Sequence, residues 1–219
     1  MVAASELAGM ELFGDFTDAE LDQVAATGDV RSLRRGDILF TEGSPPTELF
    51  VVRRGRVAIS NRSVDGRESV VALMEPGAAF GEMGLFLGEG RTAEARALEA
   101  SEVVAIPYGS VRQVYETRPE LLWGVVALLS GRIRDMDGAL ADAVFLDVTG
   151  RTAKRLLEMA GDGDEFNMPV TQEELAGMVG ASRERVNKAL AQFVRLGWIE
   201  QSDRRYRITN RQQLEIRAR

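Results

Sequence analysis

Neither cysteine nor histidine occurs among the 219 residues. Without cysteine the chain forms no disulfide, ligates no iron–sulfur cluster and offers no thiol to an oxidant. Without histidine it lacks the commonest general base, metal ligand and pH switch. Zinc centres built on those ligands are excluded, as is a haem held by thiolate or imidazole. Catalysis would have to rest on carboxylates, lysine, serine or tyrosine, and neither a P-loop nor a clustered carboxylate motif is present. The composition argues against an enzyme that hydrolyses or transfers a nucleotide phosphate. Long apolar runs are also missing: none approaches the roughly 20 residues of a membrane span. The start, Met1-Val2-Ala3-Ala4-Ser5-Glu6, has neither the basic nor the apolar stretch of a secretory signal. A cytoplasmic protein with no membrane partner is expected.

Positive charge is scarce in the first two thirds. Residues 1–149 carry 14 Arg against 24 Asp and Glu, whereas residues 150–219 carry 13 Lys and Arg against 10 acidic residues. The overall charge of −7 thus hides a mildly basic C-terminal part that could approach phosphates.

What is present falls into three stretches. Residues 17–27 read as a short amphipathic helix, with Thr17 as N-cap and Glu20 at the capping-box position. From about 29 to 107, apolar runs at 37–41, 49–53, 56–61, 69–74, 92–98 and 103–106 alternate with turn signals, including Asp65-Gly66. That pattern predicts a compact β-barrel or roll. From Pro119 to about Val144 the helix period takes over. Leu122, Val126, Leu129, Ile133, Met136, Leu140 and Ala143 follow an alternating 4-3 spacing, the seam of a two-stranded coiled coil. The other reading is a helix buried within its own subunit. Beyond Asp147-Val148-Thr149-Gly150, helices are expected at 152–160, 171–179 and 182–196. A hairpin over 198–208 follows, turning at Ser202-Asp203-Arg204.

The last two of those helices read as a helix-turn-helix. Thr171 can cap the first, with Glu174 reaching back; Gln172 opens it. Leu175, Val179, Val186 and Leu190 supply contacts between the helices, Ala176 lets them approach closely, and Gly180 permits the turn. Ser182 caps the second helix, whose first turns present Arg183, Glu184, Arg185 and Lys188. Arginine can bond guanine O6 and N7 together, and glutamate can accept from cytosine N4. The bland alternative is a helical hairpin with solvated charges.

Between two β-type stretches lies Gly81-Glu82-Met83-Gly84-Leu85-Phe86-Leu87-Gly88-Glu89-Gly90-Arg91-Thr92. Glycines let backbone N–H groups turn to an anion, Arg91 adds a donor fork suited to phosphate, and Thr92 adds a hydroxyl. Glu82 would repel a bare phosphate but suits a ribose hydroxyl. By spacing alone this signal is weak.

Taken together, Phe80–Phe86 with Arg91-Thr92-Ala93, Phe145–Arg151 and Val179–Glu184 resemble the cyclic-AMP receptor protein branch of the CRP/FNR superfamily. The resemblance runs along essentially the whole chain. It implies an α+β protein: an effector-binding β-roll over 1–118, a dimerisation helix over 119–146, a hinge at Asp147, Val148, Thr149 and Gly150, and a winged helix-turn-helix over 151–219. It further implies a homodimeric transcription regulator that binds double-stranded DNA and RNA polymerase, with cyclic AMP as allosteric effector and no covalent cofactor. Gly81, Glu82, Met83, Gly84, Arg91, Thr92 and Arg132 would form the effector site, Glu82 taking the ribose hydroxyl and Arg91 with Thr92 the cyclic phosphate. Arg183, Glu184 and Lys188 would read a TGTGA-type half-site, Lys188 replacing the family's usual Arg. Met136 and Asp137 stand where the enteric member holds adenine with Thr and Ser. Met136 fits the seam instead, and Asp137 could accept from adenine or pair with guanine. Another cyclic nucleotide, or an effector-independent activator with a vestigial pocket, stays open.

Overall fold

The computed structural model describes residues 2–62 and 68–219, so the turn expected at Asp65-Gly66 lies outside the described residues. The chain opens with α1 (Ala4–Leu7), a 3₁₀ turn (Glu11–Phe13) and α2 (Asp18–Ala26). Thr17 caps α2 as expected: its N–H donates to the Glu20 carboxylate at 2.7 Å, and its hydroxyl accepts from the Glu20 N–H.

Eight strands follow among the described residues: β1 (Asp29–Leu33), β2 (Ile38–Phe40), β3 (Glu48–Arg54), β4 (Val57–Arg62), β5 (Glu68–Met74), β6 (Ala79–Phe80), β7 (Glu94–Ala97) and β8 (Ser101–Pro107). A helix, α3 (Met83–Leu87), separates β6 from β7. The sheet orders are β1-β8-β3-β6 and β2-β7-β4-β5, so the chain passes repeatedly between two sheets, as in a roll. Strands β1 and β6 escape the sequence reading. The first alternates only weakly, and the second has two residues.

The run Leu49-Phe50-Val51-Val52 explains how the roll is filled. Alternate side chains of a strand point to opposite faces. Leu49 and Val51 join one core, with Leu7, Phe13, Leu21, Val24, Ile106 and Val111. Phe50 and Val52 join the other, with Val57, Phe80, Ala95 and Val103. A strand buried on both faces reads as a continuous apolar run. Each such side chain contributes roughly 1.5–3 kcal/mol on burial.

After α4 (Tyr108–Thr117) and a 3₁₀ turn (Pro119–Leu121) comes α5 (Leu122–Phe145). Its apolar residues form two stripes rather than one. Val125 and Leu128, with Leu121 just before them, are buried in the chain's own core. Leu122, Val126, Ile133, Met136 and Leu140 are exposed, Ile133 by 59% and Met136 by 70%.

Compactness divides the chain inside α5. Residues up to Ile133, Glu68–Val70 excepted, form one unit, and Arg134–Arg219 belong to the other. The second unit contains α6 (Val148–Ala160), β9 (Glu165–Asn167), α7 (Gln172–Val179), α8 (Arg183–Arg195), β10 (Ile199–Ser202), β11 (Arg205–Ile208) and α9 (Arg211–Arg217). Helix α6 starts at Val148, four residues earlier than the sequence reading. Asp147 is its N-cap, accepting the Gly150 N–H at 2.8 Å. That bond, and then Arg217 beside it, hold the Asp147 carboxyl below the usual range. Of the expected hinge, Asp147 is therefore the N-cap and Val148, Thr149 and Gly150 occupy the first turn of a helix. Gly150 is required by crowding: a Cβ there would lie 2.9 Å from the Arg217 carbonyl oxygen. Strand β9 turns the expected hairpin into a three-stranded sheet, β10-β11-β9. Among the described residues no helix is long and apolar enough to cross a membrane.

Candidate functional site

The Gly-rich segment leaves β6 through Gly81 (φ +78°), runs along α3 and returns to β7 through Arg91 and Thr92. Its first two glycines answer to crowding. A Cβ on Gly81 would lie 2.6 Å from Arg91 Nη1, and one on Gly84 would lie 2.4 Å from Pro46 Cβ and 2.7 Å from the Tyr108 hydroxyl. Crowding, and at Gly81 a positive φ, give these two glycines a structural role beside the anion binding expected of them.

Arg91 is only 7% exposed. Nη1 donates to the Gly81 carbonyl at 2.9 Å and to the Tyr108 hydroxyl at 3.0 Å, and Nη2 donates to the Glu48 carbonyl at 2.6 Å. The guanidinium carbon sits 4.2 Å from the Phe40 ring centroid. The donor fork expected to face a phosphate is therefore largely taken by protein acceptors. Nε is buried with no partner. The Tyr108 hydroxyl donates to the Gly81 carbonyl as well. Burial raises the Tyr108 pKa, with Arg91 opposing, so that hydroxyl stays protonated at neutral pH.

Glu82 is 1% exposed. Its Oε1 accepts from Arg132 Nη1, while Arg132 Nη2 donates to the Ala79 carbonyl at 2.6 Å. Its Oε2 is buried and unpartnered. One short loop thus holds an unsatisfied acceptor and an unsatisfied donor, both costly to leave bare. A ligand carrying a hydroxyl and an anionic group fits that pair. Thr92 is exposed, its hydroxyl 3.7 Å from Met83 Sδ. Met136 and Asp137 belong to the second unit, where both are exposed on α5. Phe40, Glu48 and Tyr108 were not anticipated, since no spacing in the sequence ties them to the loop. Among the described residues no cluster of acidic side chains could hold a metal.

In the second unit the helix-turn-helix forms as its residues dictate. The Thr171 N–H donates to the Glu174 carboxylate at 2.6 Å, and Gly180 ends α7 at φ +66°. The Ser182 hydroxyl accepts from the Arg185 N–H. Leu175, Ala176, Val179, Val186 and Leu190 are all buried. Arg183, Glu184, Arg185 and Lys188 are exposed along the opening of α8. Lys188 pairs with Glu184 at 2.9 Å and holds its carboxyl below the usual range. Thr171, Gln172 and Arg183 line one cleft with Arg204 and Tyr206. Arg204, not anticipated either, donates to the Met168 carbonyl at 2.9 Å.

Comparison with known proteins agrees with both halves. Residues 30–118 match the cyclic nucleotide-binding domain, and residues 150–217 match the Crp-like helix-turn-helix domain. A CRP-like cAMP-activated global transcriptional regulator of Mycobacterium tuberculosis is 38% identical over 192 residues, 84% of this chain and 86% of that protein. The cAMP-activated global transcriptional regulator CRP of Escherichia coli O6:H1 is 30% identical over 80% of this chain and 86% of its own length. Among solved structures, the c-di-GMP responsive global regulator CLP of Xanthomonas campestris superposes with a TM-score of 0.77 at 25% identity, covering 88% of this chain and 99% of that one. The chain belongs to the CRP branch of the CRP/FNR superfamily, DNA-binding transcription regulators with a cyclic nucleotide-binding domain rather than enzymes.

Proposed function

We propose that the protein is a cytoplasmic homodimeric activator, switched by cyclic AMP, that reads a TGTGA-type palindromic operator and contacts RNA polymerase. The observation that carries the effector reading is the buried, unpartnered Glu82 Oε2 beside a loop whose Arg91 keeps a buried, unpartnered Nε. A ribose hydroxyl answers the first and a cyclic phosphate the second. Gly81, Met83 and Gly84 would shape the loop around it, with Thr92 adding a hydroxyl and Arg132 a second cation. The names of the M. tuberculosis and E. coli relatives support cyclic AMP.

Dimerisation is supported by the exposed stripe of α5. With the exposed Val126 and Ile133 at a, the exposed Leu122 at d, and Leu129, partly buried against its own core, at the next d, the helix has the β-branched and Leu pattern of a parallel two-stranded coil. Met136 and Leu140 continue it. Two copies joined there would present two α8 helices to successive major grooves, roughly 34 Å apart. Thr171, Gln172 and Ser182 would meet phosphates, and Arg183, Glu184, Arg185 and Lys188 the bases. The effector acts only through its different affinities for DNA-competent and incompetent states. Bending at 147–150 would connect them.

Two specific observations favour other effector readings. Asp137 is exposed and could pair with guanine, and the structural relative from X. campestris is c-di-GMP responsive. The internal partners of Arg91 and Glu82 suit an activator that needs no effector.

Operator binding measured during titration with cyclic AMP, cyclic GMP and c-di-GMP separates these. Cyclic AMP alone should raise operator affinity saturably. Full affinity in nucleotide-free protein would support the vestigial pocket, and binding of cyclic AMP without any change at the operator would defeat the switch. In the same assay Arg183→Ala should cost about 1–3 kcal/mol and relax one base position. An unchanged ratio of operator to random-duplex affinity would remove Arg183 from the base readers.

A further inference from the structure

We infer that Tyr108 is a positioning residue of the effector site, its hydroxyl setting the orientation in which Arg91 meets the anionic group of the ligand. The inference rests on the proposed reading of Arg91 as the anion-binding group.

Tyr108 opens α4, directly after β8, and lies outside the Gly-rich loop. Its ring is buried in the core shared with Leu85, Ile106 and Val111. Packing there asks only for an aromatic ring, which Phe would supply. The hydroxyl is the informative part, because a buried phenolic group needs partners. It finds both on the loop: it donates to the Gly81 carbonyl and accepts from Arg91 Nη1 at 3.0 Å. The same carbonyl accepts from Arg91 Nη1 at 2.9 Å, which closes a three-membered cycle of hydrogen bonds. The loop makes room for it. A Cβ on Gly84 would lie 2.7 Å from that hydroxyl, so Gly84 is the residue that lets the tyrosine in.

The cycle fixes what the stacking leaves free. Phe40, 4.2 Å from the guanidinium carbon, holds the plane of the group but does not fix its rotation within that plane. Nη2, bonded to the Glu48 carbonyl, gives one fixed point, and Nη1 in the cycle gives the second. Two fixed points determine where Nε–H, the unpartnered donor, is aimed. Without the hydroxyl, Nη1 keeps one acceptor and the aim loosens. Preorganised donors bind more tightly than donors that must be ordered on arrival.

The test compares full-length protein with Tyr108→Phe, Arg91→Lys and the double variant, using calorimetry with cyclic AMP and with adenosine, which has the base and ribose but no phosphate. Tyr108→Phe should weaken cyclic AMP roughly 3–10-fold, the range for one hydrogen bond, and adenosine less than about twofold. In the Arg91→Lys background the same change should cost less than about twofold, because a residue acting through Arg91 cannot act once the guanidinium is gone. Equal losses for both ligands, or equal losses in both backgrounds, would make Tyr108 a packing residue and overturn the inference. So would no loss at all. If Arg91→Lys binds too weakly to read, the adenosine arm decides alone. Wild-type protein that binds no cyclic AMP overturns the effector reading itself, and this inference with it. Wild-type binding with an indifferent Tyr108→Phe overturns the inference alone.

Discussion

If the proposed dimer forms through α5, a chain carrying Ile133→Asp is expected to sediment as a monomer under conditions in which the unaltered chain sediments as a dimer, and to lose at least roughly a hundredfold in operator affinity. The exposed stripe on α5 motivates this. Ile133 keeps 59% of its surface open to water within one chain, although Val125 and Leu128, on the other stripe, are buried there. Its own fold therefore gains little from this isoleucine, whereas in the proposed dimer a partner copy would bury it. At an a position of a parallel coil, residue 133 of one copy faces residue 133 of the other. The substitution then removes two apolar contacts, each worth around 1 kcal/mol at this remaining exposure, and sets two carboxylates face to face in a drying interface. Like charges so placed cost several kcal/mol more. With about 1.4 kcal/mol per tenfold, the dimerisation constant should weaken by roughly a thousandfold or more. Mixing with Ile133→Lys should restore a heterodimer, since the facing charges then attract. A chain that stays dimeric with aspartate at 133 would show that copies meet elsewhere.

The two stripes of α5 also show how far the sequence could be read. Of the residues in the 4-3 spacing, Leu122, Val126, Ile133, Met136 and Leu140 are exposed, while Leu129 packs against the chain's own core. Leu121, Val125 and Leu128 fall out of that register, and only the packed roll reveals that they anchor the helix to its own core. Elements specified by local chemistry were legible: the Thr17–Glu20 and Thr171–Glu174 capping boxes, the Gly180 turn and the Ser182 cap. Elements specified by what packs on them were not. Helix α9 and strand β9 have little pattern of their own, yet Leu214 is wholly buried and β9 pairs with β11. The Gly-rich loop between β6 and β7 divides the same way. Glu82 and Arg91 stand out by type in their own segment. The groups that orient them, Glu48, Tyr108 and Arg132, come from distant parts of the chain. Of these, only Arg132 was foreseen, and by family resemblance alone.

Arg132→Ala should destabilise the nucleotide-free roll by about 2 kcal/mol. The reason is an asymmetry in the Glu82–Arg132 pair. The Glu82 side chain is 2% exposed and the Arg132 side chain 35%. Removing one partner of a buried ion pair costs about 3–5 kcal/mol, because the other charge stays behind without compensation. The partial exposure of Arg132 admits water and lowers that figure. The carboxylate left behind has no other hydrogen bond to fall back on, its second oxygen being already unpartnered. For a unit of this size the loss corresponds to roughly 5–10 °C in the melting transition of the roll. The reverse change, Glu82→Gln, should cost less than half as much, since Arg132 retains its bond to the Ala79 carbonyl and its access to solvent. Combining the two should recover at least half of the Arg132→Ala deficit, a neutral amide being far cheaper to bury than a lone carboxylate. Calorimetry of the three variants without nucleotide reads all of this. If Glu82→Gln proves the more damaging single change, or the double variant is as unstable as Arg132→Ala, the buried charge is not what Arg132 compensates.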